Sequence, residues 1–446
     1  YSTADPYVKK VWDGRYTGIR MCNELLENID RVPDLDPELK KRYIGEAKVL
    51  RAYNYYELYT KFGDVPYTTK VLSIKESMSI ARTAKATVIA NVLADLDEVI
   101  NGNYLPTSYD ADNKGRITRW AAMAIKAKIY LFEGNWTQVK NITSTIMTEG
   151  GFKLFGSYAG LFEIANEYNS EVILDAQYRP TSREHQMMYV FLPPTLGGYS
   201  QLSPLQELVD SYIMLDGKTI KETGTSFDES HPYANRDPRL KATVMYTGNS
   251  YTLADGTEVV INCEKGEGKD GYGVGSDCSA TGYYIKKYWD NTYRATLYSG
   301  LNPILIRYAD ILLMNAEALA ELGELDKTAW DATIKPIRDR AGFTLASALE
   351  FPEGASKDKL IEIVRNERRS ELALEGHRHK DIIRWRIADN VLNGWCHGLK
   401  TNDVVGTDDG YVRVENRTFN ANRHYLWPIP QAERDLNGNL EQNPNW

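Results

Sequence analysis

Two segments far apart in the chain repeat one helical pattern. They are "AKIYLFEGNW" and "AEALAELGEL", and they place an alanine, a glycine and a large apolar residue at the same spacing: Ala127, Gly134 and Trp136, then Ala316, Gly323 and Leu325. A helix that closes on glycine, followed by a short turn and another amphipathic helix, is typical of a tetratricopeptide-like pair. Such pairs cannot bury their apolar faces alone, so they stack into a curved scaffold. The repeat therefore predicts a mainly α-helical chain.

Further helices are predicted in the first 150 residues. Asp36 and Pro37 match a helix N-cap and the first helical position. The helix that follows should end at "FGDVP", where Gly63 suits a left-handed cap and Pro66 cannot continue the helix. The alanine-rich helix of the first repeat follows Thr118. Another apolar stripe at helical spacing contains Ile89, Val92, Leu93, Leu96 and Val99.

The chain changes character between residues 151 and 300. Gly, Asn, Pro and Tyr dominate there, while "EVILDAQY" and "EVVINCE" predict short strands and "DPRLKATVMY" predicts a turn followed by a strand. Asn302 and Pro303 are then predicted to open the next helix. Long loops on a rigid scaffold usually carry function. We therefore expect one unit over 1–446, with an N-terminal helical scaffold at 1–150, an irregular ligand-facing insert at 151–300, and a C-terminal helical scaffold and closing segment at 301–446.

The charge balance narrows the class of partner. The chain carries 53 basic and 61 acidic side chains, which gives a net charge of −8. Because nucleic acids favour basic surfaces, this balance argues against nucleic acid as a partner. No apolar run reaches the length of a membrane-spanning helix, since "ILIRYADILLM" is interrupted by Arg307 and Asp310.

Eight stretches between residue 45 and the C-terminus resemble the SusD/RagB family of outer-membrane glycan-capture lipoproteins. In chain order they are "GEAKVLRAYNYYELYTKFGDVPY", "ANVLADLDEVI", "GRITRWAAMAIKAKIYLFEGNW", "QELVDSYIMLDGK", "RDPRL", "LIRYADILLMNAEALAELG", "RNERRSELALEGHRHKDIIRW" and "LWPIPQAERDLNGNLEQNPNW". The resemblance implies a SusD-like scaffold of four tetratricopeptide-like pairs whose loops form a glycan-binding face. It also implies a surface-exposed protein, held in the outer membrane by an N-terminal lipid anchor. Its implied partner is a SusC-like TonB-dependent transporter, which it caps as a lid.

The aromatic composition points to the same ligand. The chain has 30 Tyr and 9 Trp but only 10 Phe, and Tyr and Trp combine a flat apolar face with a polar tip. Residues 283–300, "YYIKKYWDNTYRATLYSG", hold six aromatic residues with no clean helical or strand period. A pyranose presents an apolar C–H face and a rim of hydroxyls, so it is bound by a flat ring with hydrogen-bonding side chains beside it. This segment is therefore the candidate ligand-binding segment.

Individual roles follow from residue type. The predicted aromatic platforms of this segment are Trp289, Tyr293 and Tyr298, and the predicted rim partners are Asp290, Asn291 and Arg294. Two further loop aromatics are candidates, Tyr67 and Tyr199. Ordinary surface packing is the alternative for Trp289 and Tyr293, as it is for the two loop tyrosines. The residues predicted to be strand residues packed on the scaffold are Tyr283, Tyr284 and Tyr288.

Other motifs do not indicate chemistry. His377 and His379 in "EGHRHKD" lie in a helical pattern of interleaved acids and bases, which favours an ion-paired scaffold over a metal site. "GEGKDGYGVG" lacks the Gly-Lys-Ser/Thr ending of a phosphate-binding loop. Cys263 and Cys278 flank that loop, and both a disulfide and two free thiols are open. No cofactor, metal ligand or catalytic residue is predicted.

The predicted function is a non-catalytic cell-surface receptor that captures oligosaccharide and passes it to the transporter. An oligopeptide-capturing relative of the same family is one alternative. A glycoside hydrolase is another, but it needs two carboxylates about 5 to 9 Å apart, and no catalytic motif suggests such a pair. A tetratricopeptide adaptor is a third alternative, although an adaptor would not need the aromatic insert.

Overall fold

The computed structural model describes residues 1–292, 297–401 and 408–446. Helices dominate these residues and the strands are short, as predicted. The sixteen α-helices of the described residues are α1 (Pro6–Asn28), α2 (Pro37–Phe62), α3 (Ile74–Ser77), α4 (Lys85–Asn101), α5 (Arg119–Phe132), α6 (Trp136–Glu149), α7 (Met187–Phe191), α8 (Gln206–Ser211), α9 (Pro238–Thr243), α10 (Tyr308–Leu322), α11 (Lys327–Ala341), α12 (Ala346–Leu349), α13 (Lys357–Glu371), α14 (Arg378–Arg384), α15 (Ala388–Val391) and α16 (Gln431–Leu436). The eight strands of the same residues are β1 (Val172–Asp175), β2 (Val244–Met245), β3 (Ser250–Thr252), β4 (Glu258–Val260), β5 (Tyr284–Ile285), β6 (Ile304–Arg307), β7 (Gly394–Lys400) and β8 (Tyr411–Arg417).

The chain folds into two compact units. Unit 1 consists of Tyr1–Gly150, His379–Leu392 and Phe419–Trp446. Unit 2 consists of Gly151–Arg378 and Asn393–Thr418. The change of character that the sequence shows after residue 150 coincides with the first division between the units. The segment expected to form one C-terminal scaffold, 301–446, contributes to both.

Unit 1 is a series of helices packed in chain order. Helix α1 packs on α2, α2 on α4, α4 on α5, and α5 on α6. The predicted start signals act as N-caps: Asp36 Oδ1 accepts a hydrogen bond from the N–H of Leu39 at 2.8 Å, and Thr118 Oγ1 accepts one from Ala121 at 3.2 Å. Gly63 follows α2 with a φ of +72°, which explains the helix end.

The two sequence repeats are helical pairs, as predicted. Gly134, with a φ of +70°, lies between α5 and α6 in unit 1, and Gly323, with a φ of +74°, lies between α10 and α11 in unit 2. Asn135 and Asp326 cap the second helix of each pair by accepting backbone hydrogen bonds of 3.3 and 2.8 Å. Glycine adopts positive φ without a steric penalty, so the same residue ends the first helix of each pair.

The C-terminal segment completes the core of unit 1. The N–H of Trp427 donates to the carbonyl of Lys61 at 2.7 Å, and its ring centroid lies 5.8 Å from that of Phe62. The buried amide of Asn443 donates to the carbonyl oxygens of Phe62 at 2.9 Å and Trp427 at 2.7 Å. The last residues of the chain therefore hold the end of α2.

The charged segment around "EGHRHKD" is ion-paired, as predicted. In unit 1, Lys380 Nζ lies 2.6 Å from Glu57 Oε1. In unit 2, Arg307 Nη1 lies 2.7 Å from Glu371 Oε1, and Arg307 Nη2 lies 2.7 Å from Glu375 Oε1. The side chains of Arg307, Glu371 and Glu375 are buried, so each of these charges depends on its partner.

Two predictions in unit 2 are corrected. Asn302 and Pro303 do not open a helix; strand β6 follows them, pairs antiparallel with β1, and leads into α10 at Tyr308. The Asn302 side chain accepts a hydrogen bond from the N–H of Tyr178 at 2.6 Å and donates to Asp175 at 3.2 Å, which holds this segment beside β1. In "DPRLKATVMY" the predicted turn is the short helix α9, which runs directly into strand β2.

The strands of the described residues form four separate two-stranded antiparallel ladders, β1 with β6, β2 with β5, β3 with β4, and β7 with β8. The strands predicted in "EVILDAQY" and "EVVINCE" are β1 and β4. All four cysteines, which lie within the described residues, are free thiols. Among the described helices, none has the length and apolar character needed to cross a membrane.

Candidate ligand-binding surface

Three tyrosines of the 283–300 segment belong to the core of unit 2. Tyr283, Tyr284 and Tyr288 are 2%, 0% and 4% exposed. The buried hydroxyl of Tyr283 donates to Gln206 Oε1 at 2.6 Å, and that of Tyr284 donates to the carbonyl of Asp270 at 2.5 Å. The prediction that these rings pack inside is confirmed, although among the three only Tyr284 belongs to a strand, β5.

Trp289 is half-buried on the β3–β4 ladder. Its indole Nε1 donates to the carbonyl of Thr252 at 2.8 Å, and its ring lies 5.0 Å from that of Tyr251 at an interplanar angle of 57°. These contacts fix the orientation of the indole while part of it remains open to solvent. Trp289 thus packs on the ladder and stays partly exposed, so its role as a platform stays a prediction from the sequence.

Asp290 has a structural role. It is 2% exposed, and its carboxylate accepts hydrogen bonds from the N–H and hydroxyl of Thr292 at 2.9 and 2.6 Å and from the hydroxyl of Ser299. Asp commonly hydrogen-bonds to the backbone two residues further on, which stabilises a turn. The sequence predicts Asp290 as a hydrogen-bonding partner for the hydroxyl rim of a sugar. Because its carboxylate is buried in this turn, we do not include it among the ligand-binding groups.

The other predicted residues of this segment differ in exposure. Asn291 is exposed beside the Asp290 turn, and Tyr298 is 42% exposed. Tyr293 and Arg294 lie outside the described residues, so their platform and rim roles stay predictions from the sequence.

Tyr199 forms a stacked pair with Tyr189. The two ring centroids lie 4.3 Å apart at an interplanar angle of 28°, and the N–H of Tyr199 donates to the carbonyl of Tyr189 at 3.0 Å. Tyr199 is 40% exposed, and Tyr189 packs on the core of unit 2. The sequence analysis missed Tyr189. The signal was present in "YVFLPPTLGGYS", where the Pro-Pro and Gly-Gly pairs indicate a tight loop that returns the chain to its start.

The segment with Tyr298 lies against the loop with Tyr199. Backbone hydrogen bonds of 2.9 and 3.0 Å join His185 and Ser299, and the His185 ring contacts the carbonyl of Leu301 at 2.8 Å. Next to them, the side chain of Leu297 approaches Gly197. Tyr298, between Leu297 and Ser299 in the chain, is thus an exposed ring on a segment that contacts this loop.

Polar side chains of unit 2 also lie between residues 168 and 185. The Arg183 guanidinium stands 5.4 Å from the ring of Tyr178, whose edge contacts the ring of His185 at 4.7 Å. The hydroxyl of Tyr168, which is 39% exposed, donates to Gln177 Oε1 at 2.7 Å. We refer to Tyr189, Tyr199, Tyr298 and Trp289, with these polar side chains, as the aromatic surface of unit 2.

Tyr67 belongs to unit 1. Its ring packs on Tyr55 at 4.6 Å and 36°, and it is half-buried. Burial raises the pKa of Tyr67 to about 12. The structure thus places this candidate in a packing contact with α2 inside unit 1.

Metal-based chemistry has no visible site in the described part of the chain, where no group of three or more His, Cys, Asp or Glu side chains is arranged to hold an ion. His379 is enclosed in unit 1, 5.9 Å from the ring of Trp427, and burial lowers its pKa to about 4. This histidine is a neutral packing residue at physiological pH.

Both units contain helical pairs, and unit 2 also has loops, short two-stranded ladders and exposed tyrosines, which is the composition of a tetratricopeptide-like binding scaffold. The comparisons with known proteins agree. The model of the SusD family matches residues 161–446, and a model described as "Starch-binding associating with outer membrane" matches residues 1–131. The chain belongs to the SusD family.

Relatives and solved structures support the assignment over most of the chain. The SusD-like protein P25 of Formosa agariphila is 28% identical over 409 residues, covering 86% of this chain and 71% of the relative. A SusD-like carbohydrate binding protein of Bacteroides fragilis has a TM-score of 0.89 and 29% identity, covering 99% of this chain and 87% of its own. A laminarin binding SusD-like protein has a TM-score of 0.68 and 25% identity, covering 98% and 85%.

Proposed function

We propose that the protein is a non-catalytic receptor that binds oligosaccharide on the aromatic surface of unit 2. One observation carries the proposal: Tyr189 and Tyr199 form a stacked, partly exposed aromatic pair in a loop fixed by backbone hydrogen bonds. Tyr298 and the half-buried Trp289 provide further rings, and the exposed Asn291 and Arg183 of the same unit provide hydrogen-bonding groups.

The energetics suit capture followed by release. Covering about 100 Å² of apolar sugar surface at roughly 25 cal/mol per Å² contributes ~2.5 kcal/mol per ring, before the cost of ordering the ligand. Two or three rings along an oligosaccharide then give dissociation constants on the order of micromolar to millimolar. A receptor that hands its cargo on needs binding of this strength.

We further propose that the protein works at the cell surface, held in the outer membrane by an N-terminal lipid anchor. There it would deliver oligosaccharide to a SusC-like TonB-dependent transporter. Family membership supports this part of the proposal, because the model that matches residues 1–131 describes proteins associated with the outer membrane.

The first test is calorimetry against a panel of polysaccharides that includes starch and laminarin, with an oligopeptide panel beside it. Each mixture is then assayed for new reducing ends after long incubation. We expect binding to at least one glycan with no new reducing ends. Binding to peptides alone would favour the oligopeptide-capturing alternative, and cleavage would place the protein among the glycoside hydrolases.

The second test locates the site. Tyr199→Ala and Tyr298→Ala should each raise the dissociation constant for the bound glycan roughly five- to fiftyfold, because each removes one ring worth ~2.5 kcal/mol or less. Tyr7→Ala is the matched control, since Tyr7 is a 56% exposed tyrosine of unit 1. Unchanged affinity in both site variants, with the melting temperature preserved, would exclude this surface.

A further inference from the structure

A cavity of about 540 Å³ in unit 1 opens where two long helices begin. Its lining includes Asp36, Glu38 and Leu39 at the start of α2, Arg42 one turn later, and Arg119, the first residue of α5. The rest of the lining comes from residues 103–107, which precede α5. The N-termini of α2 and α5 both carry partial positive charge, which favours anions nearby.

Two half-buried arginines line this cavity, and Arg42 has two aromatic rings and the charge of Asp110 nearby. Neither Arg42 nor Arg119 forms an ion pair or a side-chain hydrogen bond among the residues that the structure describes, and the Nε atom of each is buried with no acceptor. A buried N–H group without an acceptor costs free energy, which a ligand that supplies an acceptor would recover. The cavity therefore favours a ligand that brings acceptor oxygens and negative charge.

A neighbouring arginine, Arg116, is fully paired with a carboxylate. Arg116 donates from Nε and Nη2 to the two carboxylate oxygens of Glu46 at 2.8 and 2.6 Å. Arg42, by contrast, has its guanidinium carbon 5.7 Å from the rings of Tyr43 and Tyr109. Aromatic rings hold a guanidinium in place by cation–π attraction. They do not accept the hydrogen bonds that its N–H groups donate in the plane of the guanidinium.

The two carboxylates of the cavity do not fill this role. Asp36 caps α2 by accepting the N–H of Leu39 at 2.8 Å. Glu38 is exposed in the first turn of α2 and forms no ion pair within the described residues. Both carboxylates lower the net charge of the cavity, so a bound anion must be held by direct hydrogen bonds to the arginines.

We propose that this cavity binds an oxyanion, namely a carboxylate, sulfate or phosphate group, through Arg42 and Arg119. The planar fork of a guanidinium matches two oxygens of such a group, and the lining of this cavity contains two such forks. The proposal concerns unit 1 and does not depend on glycan binding at the aromatic surface of unit 2.

The test uses the whole chain at low ionic strength, titrated by calorimetry with inorganic sulfate, inorganic phosphate, acetate and glucuronate, and with neutral glucose as a blank. We expect one saturable site for at least one oxyanion. Tighter binding of glucuronate than of acetate assigns a group carried on a sugar, and tighter binding of sulfate or phosphate assigns the free ion. Absence of saturable binding for all four oxyanions would overturn the proposal.

Variants identify the site. Arg42→Gln and Arg119→Gln should each weaken oxyanion binding about tenfold or more, since each removes a charged fork. Arg20→Gln is the matched control, because Arg20 is an exposed arginine of α1 that does not line this cavity. If a glutamine variant fails to fold, the lysine variant at the same position keeps the charge but loses the fork and should still weaken binding. Unchanged affinity in the folded variants at both positions would overturn the assignment.

Two further measurements separate an oxyanion from other ligands. Glu38→Gln removes a carboxylate that repels the anion, so oxyanion binding should tighten. Weaker binding in that variant would mean that the ligand donates to Glu38, and the assignment would be wrong. A crystal soaked in selenate should show its anomalous signal between Arg42 and Arg119, and a signal confined to other places would also contradict the proposal.

Discussion

Glu375 is a buried carboxylate held between two cations. Its Oε1 lies 2.7 Å from Arg307 Nη2 and 2.7 Å from Lys287 Nζ, and its Oε2 accepts a hydrogen bond from Arg307 Nε at 2.8 Å. Burial by itself would raise the pKa of Glu375, but the charges of Arg307 and Lys287 outweigh burial and lower that pKa to about 2. Burial lowers the pKa of Lys287 to about 8. All three groups are charged at neutral pH.

This pairing predicts how acid acts on unit 2. The folded pKa of Glu375 is about 2 and its ordinary value is 4.5. The ionised form therefore contributes on the order of 3 kcal/mol above pH 4.5, and this contribution is lost as the pH falls towards 2. Between pH 4.5 and 2.5, the free energy of unfolding should fall more steeply in the parent than in Glu375→Gln.

Guanidinium denaturation followed by circular dichroism measures both curves. At pH 7 the Glu375→Gln variant should also be less stable by roughly 3 to 5 kcal/mol, because it leaves buried cations unpaired. Glu353→Gln, at an exposed glutamate, is the control and should follow the parent. Parallel curves for the parent and Glu375→Gln would show that Glu375 is not the group that titrates.

At the scale of elements, the helical pairs depend on one backbone conformation. Gly323 ends α10 with φ +74° and ψ +25°, in the left-handed region. A Cβ built on this residue would meet no atom within 4 Å, so the conformation, and not the lack of space, requires glycine. Gly14 in α1 also has open space around it, but its φ is that of an ordinary helix.

These two glycines make a matched pair of substitutions. Gly323→Ala should lower the free energy of unfolding by about 1 to 2 kcal/mol, because a left-handed backbone conformation is sterically strained for alanine. Gly14→Ala should raise it by about 0.5 to 1 kcal/mol, because alanine loses less entropy in a helix. Denaturant titration measures the free energy of unfolding of both variants. If both substitutions changed it in the same direction, this explanation of the repeat would be contradicted.

At the scale of the whole molecule, unit 1 is assembled from distant parts of the chain. Asn443 is 3% exposed and donates to the carbonyls of Phe62 and Trp427, 381 and 16 residues away. Arg82 Nη1 donates to the carbonyl of Glu441 at 2.9 Å. The N-terminal helices of unit 1 and its last residues should therefore unfold together.

Asn443→Ala tests this coupling. It removes the Asn443 donor to the Trp427 carbonyl, one of two donors to the Phe62 carbonyl and the acceptor of Arg82 Nη2, so we expect a loss of about 1 to 3 kcal/mol in the free energy of unfolding. Asn439→Ala is the control: Asn439 donates to the carbonyl of Ser79 at 2.7 Å but is exposed, so its loss should cost less than about 1 kcal/mol. Equal losses in the two variants would mean that burial of Asn443 does not matter.

Features fixed by contacts within a few residues could be predicted from the sequence. Features fixed by contacts between distant segments could not. The caps at Asp36 and Thr118 and the glycines of the repeats act within a few residues, so their pattern is readable in the chain. The start of α10 was misplaced because Asn302 and Pro303 match a helix start locally. The hydrogen bonds of Asn302 to Tyr178 and Asp175 instead hold this segment beside β1.

Local spacing and residue type were enough to predict the helical scaffold, the irregular region after residue 150 and the family. Which rings face water depends instead on contacts between distant segments. Trp289 is fixed by Thr252, Tyr199 stacks on Tyr189, and Asp290 is enclosed with Ser299. Exposure depends on which distant segment covers a side chain. In a segment without a regular apolar period, the sequence has no pattern from which burial can be predicted.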